Sequence, residues 1–309
     1  MECLTHGFAM SELRETKRIK GRSATETRRV MRVFLRNPLS ILGMTMVVAF
    51  FVLAAFAPML VPYPEDVTGA IHIKERHLPP SSEHWFGTDE VGRDLFSRVI
   101  YGTRISLEIG LIVVAVGAGI GVPLGLVAGF FGGWTEQLIM RITDVFLAVP
   151  GILLAIAIVA ALGPGMTNAM VALSIVWWPG YVRIVHGKVK TVREEAYVEA
   201  GRALGLNSMR ILFRHVLPNC MSPILVKASM DMGMAILSAA GLGFIGIGAQ
   251  PPIPEWGAII SEGRRYFSVA WWHSTFPGLA IWFTVLGFNF LGDALRDALD
   301  PKMRMQALS

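Results

Sequence analysis

Cysteine is almost missing from these 309 residues, with Cys3 and Cys220 the only two. They lie far apart and match no metal-binding or redox spacing, so neither a disulfide framework nor a thiolate metal site is implied. Charge is scarce too: 17% of residues are Asp, Glu, Lys or Arg, against about 25% in soluble domains. It is also unevenly placed. No charged residue occurs from Asn37 to Pro64 or from Val145 to Val182, which is the pattern a hydrocarbon layer imposes. Signatures of catalysis are lacking as well. No Gly-x-x-x-x-Gly-Lys-Ser/Thr loop cradles phosphates, and the glycine run 241–248 has no lysine. The seven histidines contain no His-Glu-x-x-His pattern and no short-range cluster. The first residues lack a charged-then-apolar leader with a small-residue cleavage site, so the first apolar helix is expected to stay as an anchor. No internal repeat or low-complexity tract occurs.

What is present is basic charge in particular places. Nine of the 28 Lys/Arg lie in the first 36 residues, and eight more lie from Arg183 to Lys227. A positive-inside bias explains the formal charge of +5 without nucleic acid as a partner. It puts residues 1–26, the loop at 183–222 and the tail at 298–309 in the cytoplasm. The segment Thr27–Arg36 reads as a short basic amphipathic helix lying in the interface. Residues 1–9 resemble no useful element, and translation is expected to start at Met10.

The apolar runs predict an all-α membrane protein of six spans, since irregular backbone cannot stand unsatisfied in lipid. They fall near 39–61, 109–131, 145–162, 166–182, 224–247 and 271–291. The second carries glycines at 110, 117, 119, 121, 125 and 129, spacings that let helices approach closely. Gly163-Pro164-Gly165 makes a tight hairpin between the third and fourth. Two segments, 62–104 and 248–270, then face outward. In domain terms, 27–104 holds the interfacial helix, the first span and an outward loop, and 105–297 holds the remaining spans.

The most informative cytoplasmic segment is EEAYVEAGRALGLNSMRILFRHVLPN, Glu194–Asn219. Residues 190–204 read as a helix with an apolar stripe at Val192, Ala196, Ala200 and Ala203. Gly205 stops it. Asn207 or Ser208 caps a second helix that is expected to end before Pro218.

Glu199-Ala200-Gly201, three residues, Gly205, nine residues and His215-Val216-Leu217-Pro218 resemble the EAA loop, here 186–219, of binding-protein-dependent ABC importer permeases. Gly201 and His215 stand where that pattern has Ala and Ile. The runs His84–Leu107, 138–165, 248–257 and 288–302 are similar to the C-type subunit of the dipeptide/oligopeptide/nickel permease family. The likeness extends over roughly residues 28–304. It implies a type I (MetI-like) importer permease fold in a bacterial plasma membrane. It also implies a B-type permease partner, two ATPase subunits holding ATP and Mg²⁺, and an extracytoplasmic substrate-binding protein. This chain would carry no cofactor or metal and would be no enzyme. The loop would couple to an ATPase subunit through Glu199, Ala200, Gly201, Arg202, Gly205, Arg214, His215, Leu217 and Pro218. A solvated loop with Glu199 paired to Arg202 is the plainer alternative. Short peptides are the implied cargo, with nickel chelates, glutathione, opines or sugars as alternatives.

Other ionisable residues admit two readings each. Arg141 and Asp144 read as a structural pair, with a proton relay as the other reading. Lys227 and Asp231 lie one turn apart and neutralise each other. Ser229, Met230, Asp231, Met234 and Ser238 either line the translocation path or serve ordinary helix packing. Trp85, Asp89, Arg93, Asp94 and Arg98 either plug the outer mouth through Asp–Arg pairs or meet a binding protein. An ion-coupled secondary transporter would show broken helices or repeat symmetry, and neither is evident in the sequence. A membrane enzyme would need converging nucleophile, base or ligands.

Overall fold

The computed structural model describes residues 37–299. The interfacial helix at 27–36, the tail at 1–26, Met10 and nearly all of the tail at 298–309 lie outside the described residues. Helices and turns account for the described structure, with one isolated bridge between Thr88 and Asp94.

Helix α1 spans Pro38–Leu60; Asn37 caps it by accepting the Leu39 N–H, and Pro38 supplies a preset first-turn φ. It buries Gly43, Val47, Phe50, Ala54 and Ala57 on one face and exposes Leu42, Val48, Phe51 and Phe56. A short helix, α2 (Pro64–Thr68), follows. Helix α3 runs from Leu95 to Phe131, capped by Asp94, whose side chain accepts the Ser97 N–H. The expected span therefore begins fourteen residues early, and the outward loop stops at Asp94 instead of Arg104. The charge of Arg98, which read as loop, is neutralised by long-range partners described below.

Gly132 and Gly133 turn the chain through positive φ into α4 (Gly133–Ala148). Helix α5 (Gly151–Leu162) follows after Pro150, at an angle of 87° to α4. An unbroken third span was expected here. Pro150 disfavours helical geometry in Val149, whose φ and ψ are extended, and this divides the segment. The hairpin at Gly163–Gly165 is as expected, both glycines having positive φ. Helix α6 (Met166–Val192) continues well past the expected end at Val182.

Helix α7 covers Ala196–Ala203 and α8 covers Ser208–Ile211, which leads through a π turn at Leu212–Val216 into α9 (Leu217–Ile245). The loop at 248–270 holds a further helix, α10 (Trp256–Gly263), and α11 runs from Trp272 to Leu299. Among the described residues, four stretches are long and apolar enough to cross a membrane: α1, α3, the continuous run Ser208–Ile245 and α11. A fifth crossing arises if the bent pair α4–α5 counts as one span. Six is not reached, because Asn168, Trp177, Trp178, Tyr181 and Arg183 lower the apolarity of α6.

Close backbone approach holds the bundle together. A Cβ on Gly117 would meet Trp177 at 3.0 Å, and one on Gly125 would meet the Val182 carbonyl at 2.8 Å. One on Gly129 would meet Val189 at 2.7 Å. These glycines form a seam between α3 and α6, as small residues do in lipid. Gly43 faces Phe290 and Gly287 faces Met46, joining α1 to α11 in the same manner. Glu136 of α4 ties to α6 through His186 Nε2 at 2.7 Å and Lys190 Nζ at 2.9 Å.

Candidate functional site

The segment Arg193–Val216 forms a helical hairpin packed beneath α3 and α6. Val198, Ile211, Leu212 and Val216 are buried with Leu126, Val185 and Val189. The expected helix at 190–204 is interrupted at 193–195, and of its expected stripe Val192 is buried but Ala196, Ala200 and Ala203 are exposed, while Val198 and Gly201 are buried instead. Alanine is too small for its pattern to settle which face packs, and Val198 offers more apolar area. Gly205 has φ +72°, as the turn requires. Asn207 caps α8 by accepting the Met209 N–H at 2.9 Å.

The second hairpin helix does not end at Leu217. Pro218 lacks an N–H to return to Arg214, and the π turn absorbs the defect by bonding the Leu217 N–H to the Leu212 carbonyl. The hairpin is thus continuous with α9. Its free surface carries Glu199, Arg202, Gly205, Arg210 and Arg214, interleaved with exposed Tyr197, Leu204, Met209 and Phe213. Arg202 lies 5.4 Å from the Phe130 ring centre and, among the described residues, makes no ion pair with Glu199. His215 and Leu217 are half-buried, and Pro218 is exposed.

A cleft of about 420 Å³ opens between the α4–α5 bend, α6 and α9. Phe146, Val149, Pro150, Trp177 and Leu173 form its apolar wall. Lys227, Asp231, Met234 and Ser238, at positions i, i+4, i+7 and i+11, form the α9 side. Lys227 Nζ lies 3.0 Å from Asp231 Oδ2, as the sequence spacing predicts. Ser229 and Met230 turn away; both approach Gly292 of α11. Asp144 does not pair with Arg141 as expected, but bonds Arg183 of α6.

The segments at 62–94 and 248–270, expected to face outward, pack together at one end of the bundle. Asp89 is fully buried and accepts from Arg93 Nε at 2.6 Å and Arg98 Nη1 at 2.5 Å. Burial pushes the Asp89 carboxyl up, but Arg98, Arg93 and the Arg93 and Val91 N–H groups outweigh it and hold the group below the ordinary carboxylate range. Asp94 pairs with His84 Nδ1 at 3.0 Å, and Trp85 is exposed. Asp89 thus makes Asp–Arg pairs, whereas Asp94 pairs with a histidine.

Glu262 was missed; it accepts from Arg98 Nη1 at 3.1 Å across 164 positions. Burial, with Asp89 and Glu262 nearby, raises the Glu90 carboxyl above its ordinary value. His273 is fully buried, its Nε2 3.5 Å from Glu90 Oε2. Glu90, Glu262 and His273 bring three ligand-type atoms within 4.8 Å of one another. Because Arg93 and Arg98 already engage both glutamates, the arrangement is an ion-pair network. No sequence spacing signals it, since its members come from three separate segments.

Comparison with known proteins bears on the whole chain. The family model for the binding-protein-dependent transport system inner membrane component matches residues 121–305. That for the N-terminal TM domain of oligopeptide transport permease C matches residues 25–80. The chain is 48% identical over 269 residues to the dipeptide transport system permease protein DppC of Alkalihalophilus pseudofirmus, covering 87% of this chain and 88% of that protein. It is 47% identical to the glutathione transport system permease protein GsiD of Pectobacterium atrosepticum, covering 91% and 92%. A third relative, the probable D,D-dipeptide transport system permease protein DdpC of Escherichia coli, is 46% identical over 86% and 88%. In fold, the chain is similar to a chain of the inward-facing MetNI methionine ABC transporter, with TM-score 0.56 and 19% identity over 67% of this chain and 98% of that one.

Proposed function

Because this chain belongs to the family of binding-protein-dependent transport system inner membrane components, we propose that it forms half of a translocation pathway importing short peptides through a bacterial plasma membrane. Its near-half identity, over most of its length, to permeases named for dipeptide and glutathione transport carries this reading. The other half is a B-type permease. Two ATPase subunits with ATP and Mg²⁺ supply the work, and an external binding protein delivers cargo. Counting the bent pair and α6 gives six crossings, with both termini cytoplasmic.

Coupling is assigned to the α7–α8 hairpin. It is exposed, carries Glu199 and three arginines, and is continuous with the helix that lines the cleft, so a displacement there moves that helix as a unit. The test is uptake and ATPase activity in liposomes holding all subunits. Glu199→Lys places like charges together at a buried contact, which costs several kcal/mol, whereas an exposed pair is worth under about 1 kcal/mol. Gly205→Pro cannot take φ +72°. Both variants are expected to insert, to permit binding-protein docking and to abolish import. Normal uptake in both removes the coupling assignment.

A further inference from the structure

Helix α9 keeps two opposite charges on the side that faces the cleft. With α9 rising about 1.5 Å per residue, Asp231 lies about 21 Å from the Ile245 end. Taking that end as one edge of a hydrocarbon layer of about 30 Å, Asp231 falls within the layer and Lys227, one turn nearer the hairpin, approaches its other edge. Helix stability does not explain the pair. Along a helix the favourable order is acid before base, and here Lys227 precedes Asp231. Buried ion pairs are also poor sources of stability compared with apolar side chains of similar volume. An ionisable side chain inside a span that faces a cavity marks a route for polar solutes.

Three features point to the kind of solute. First, both charges line one cleft of about 420 Å³, within the range of about 300–1,000 Å³ that receives small molecules. Second, both keep unused bonding capacity. Lys227 Nζ donates to Asp231 Oδ1 at 3.1 Å, whereas buried Oδ2 has only the ion contact and no hydrogen bond. The ammonium has three donors and the carboxylate several acceptor sites. Lys227 also stands 4.9 Å from the Tyr181 ring centre, which favours a cation there. Third, the opposite wall is apolar and aromatic, with Phe146, Pro150 and Trp177. Such a wall accepts varied side chains while offering them no partner of fixed chemistry.

We infer that Lys227 and Asp231 form a recognition site for the charged ends of a short zwitterionic peptide, a step that rests on the peptide-import reading. Lys227 takes the α-carboxylate and Asp231 the α-ammonium. When cargo enters, the pair separates and each charge exchanges its neighbour for a terminus of the same sign. The cleft carries no net charge before, during or after the exchange. Neither state therefore leaves an uncompensated charge in low dielectric. Emptying the cleft re-forms the pair, which resets the site. Peptides of differing side chains are handled alike, because recognition falls on groups they share.

The test uses the complete transporter in liposomes, with a radiolabelled dipeptide and two double variants. Lys227→Gln with Asp231→Asn keeps volume and hydrogen bonding but removes both charges. Lys227→Asp with Asp231→Lys keeps both charges in exchanged places. The inference expects uptake to fall at least about tenfold in the neutral variant, the loss of one charge-assisted contact or more. It expects the exchanged variant to recover most of it. Uptake within about twofold of wild type in the neutral variant overturns the inference, as does an assembled exchanged variant as inactive as the neutral one. If the neutral variant fails to assemble, the exchanged variant decides alone by the same criterion. Failure of the wild-type complex to import any peptide is a separate outcome, and it removes the peptide-import reading itself.

Discussion

Trp256 donates its indole N–H to the Val99 carbonyl at 2.9 Å, joining the loop helix α10 to the first turns of α3 across 157 positions of chain. The ring is buried and tilts against Phe50 of α1 at 6.3 Å, so one side chain of α10 meets two other helices. Trp256→Phe keeps most of the ring and strands a buried acceptor, which costs about 1–3 kcal/mol. Thermal unfolding of the purified complex in detergent is expected to shift down accordingly. An unchanged transition would show that the bond contributes nothing.

The α3–α6 seam makes a paired prediction. A methyl on Gly125 would lie 2.8 Å from both the Val182 carbonyl and the Val185 Cβ, whereas nothing lies within 4 Å of a methyl on Gly119. Gly125→Ala is expected to destabilise by about 1–3 kcal/mol through overpacking. Gly119→Ala, six residues earlier on the same helix, is expected to be neutral or slightly stabilising. Equal effects in chemical unfolding would refute the seam.

Gly201 departs from the alanine of the permease loop pattern. Its Cβ position has ordinary contacts, 3.5 Å to Leu206 and 3.8 Å to Ile211. Gly201→Ala is therefore expected to gain up to about 1 kcal/mol from helix propensity. Slower proteolysis of the hairpin in the purified complex would register the gain, and faster proteolysis would contradict it.

A fourth expectation concerns pH. Burial pushes the Glu255 carboxyl up to about 7 from the usual 4.5, against the opposing pull of the Gly257 and Ala258 N–H groups. The folded chain thus holds a proton that the unfolded chain releases between about pH 4.5 and 7. This contribution to stability is full below pH 4.5 and is lost as pH rises through 7. Glu255→Gln is expected to flatten the dependence of melting temperature on pH across that window. A variant with the wild-type slope would show that another group controls it.

Orientation is open to chemical labelling. Cys220 is fully buried and a poor reporter, whereas Leu204 is 81% exposed at the hairpin tip. With Cys3 and Cys220 replaced by serine, Leu204→Cys is expected to react with an impermeant thiol reagent only in inverted vesicles. Reaction in intact cells would reverse the assigned topology.

Local signals were legible in the sequence. The span expected at 39–61 matches α1 to within a residue at each end, and Gly163, Gly165 and Gly205 mark turns that need positive φ. The Lys227–Asp231 contact follows from one helical turn of spacing. Signals that depend on distant partners were not legible. Arg98 reads as a loop charge until Asp89 and Glu262 are seen to neutralise it, which is why the start of α3 was placed late. Pro150 carries a local signal for the bend at Val149, whereas the uncharged apolar run around it reads as one span. Pro218 looked like a helix end because a π turn leaves no trace in composition.

The glycine seam also fixes how the bundle can deform. Gly117, Gly125 and Gly129 each hold a notch that a specific α6 residue fills, so sliding α6 along α3 by one residue would drive side chains into backbone. The two helices are keyed like a shaft and its collar: they can turn or tilt together, but neither can slip past the other. Helix α4 is pinned to the same shaft by Glu136. Widening of the cleft is therefore left to its other two borders: α9, which moves with the hairpin, and α5, which can swing at the 87° corner with α4 without breaking helical hydrogen bonds.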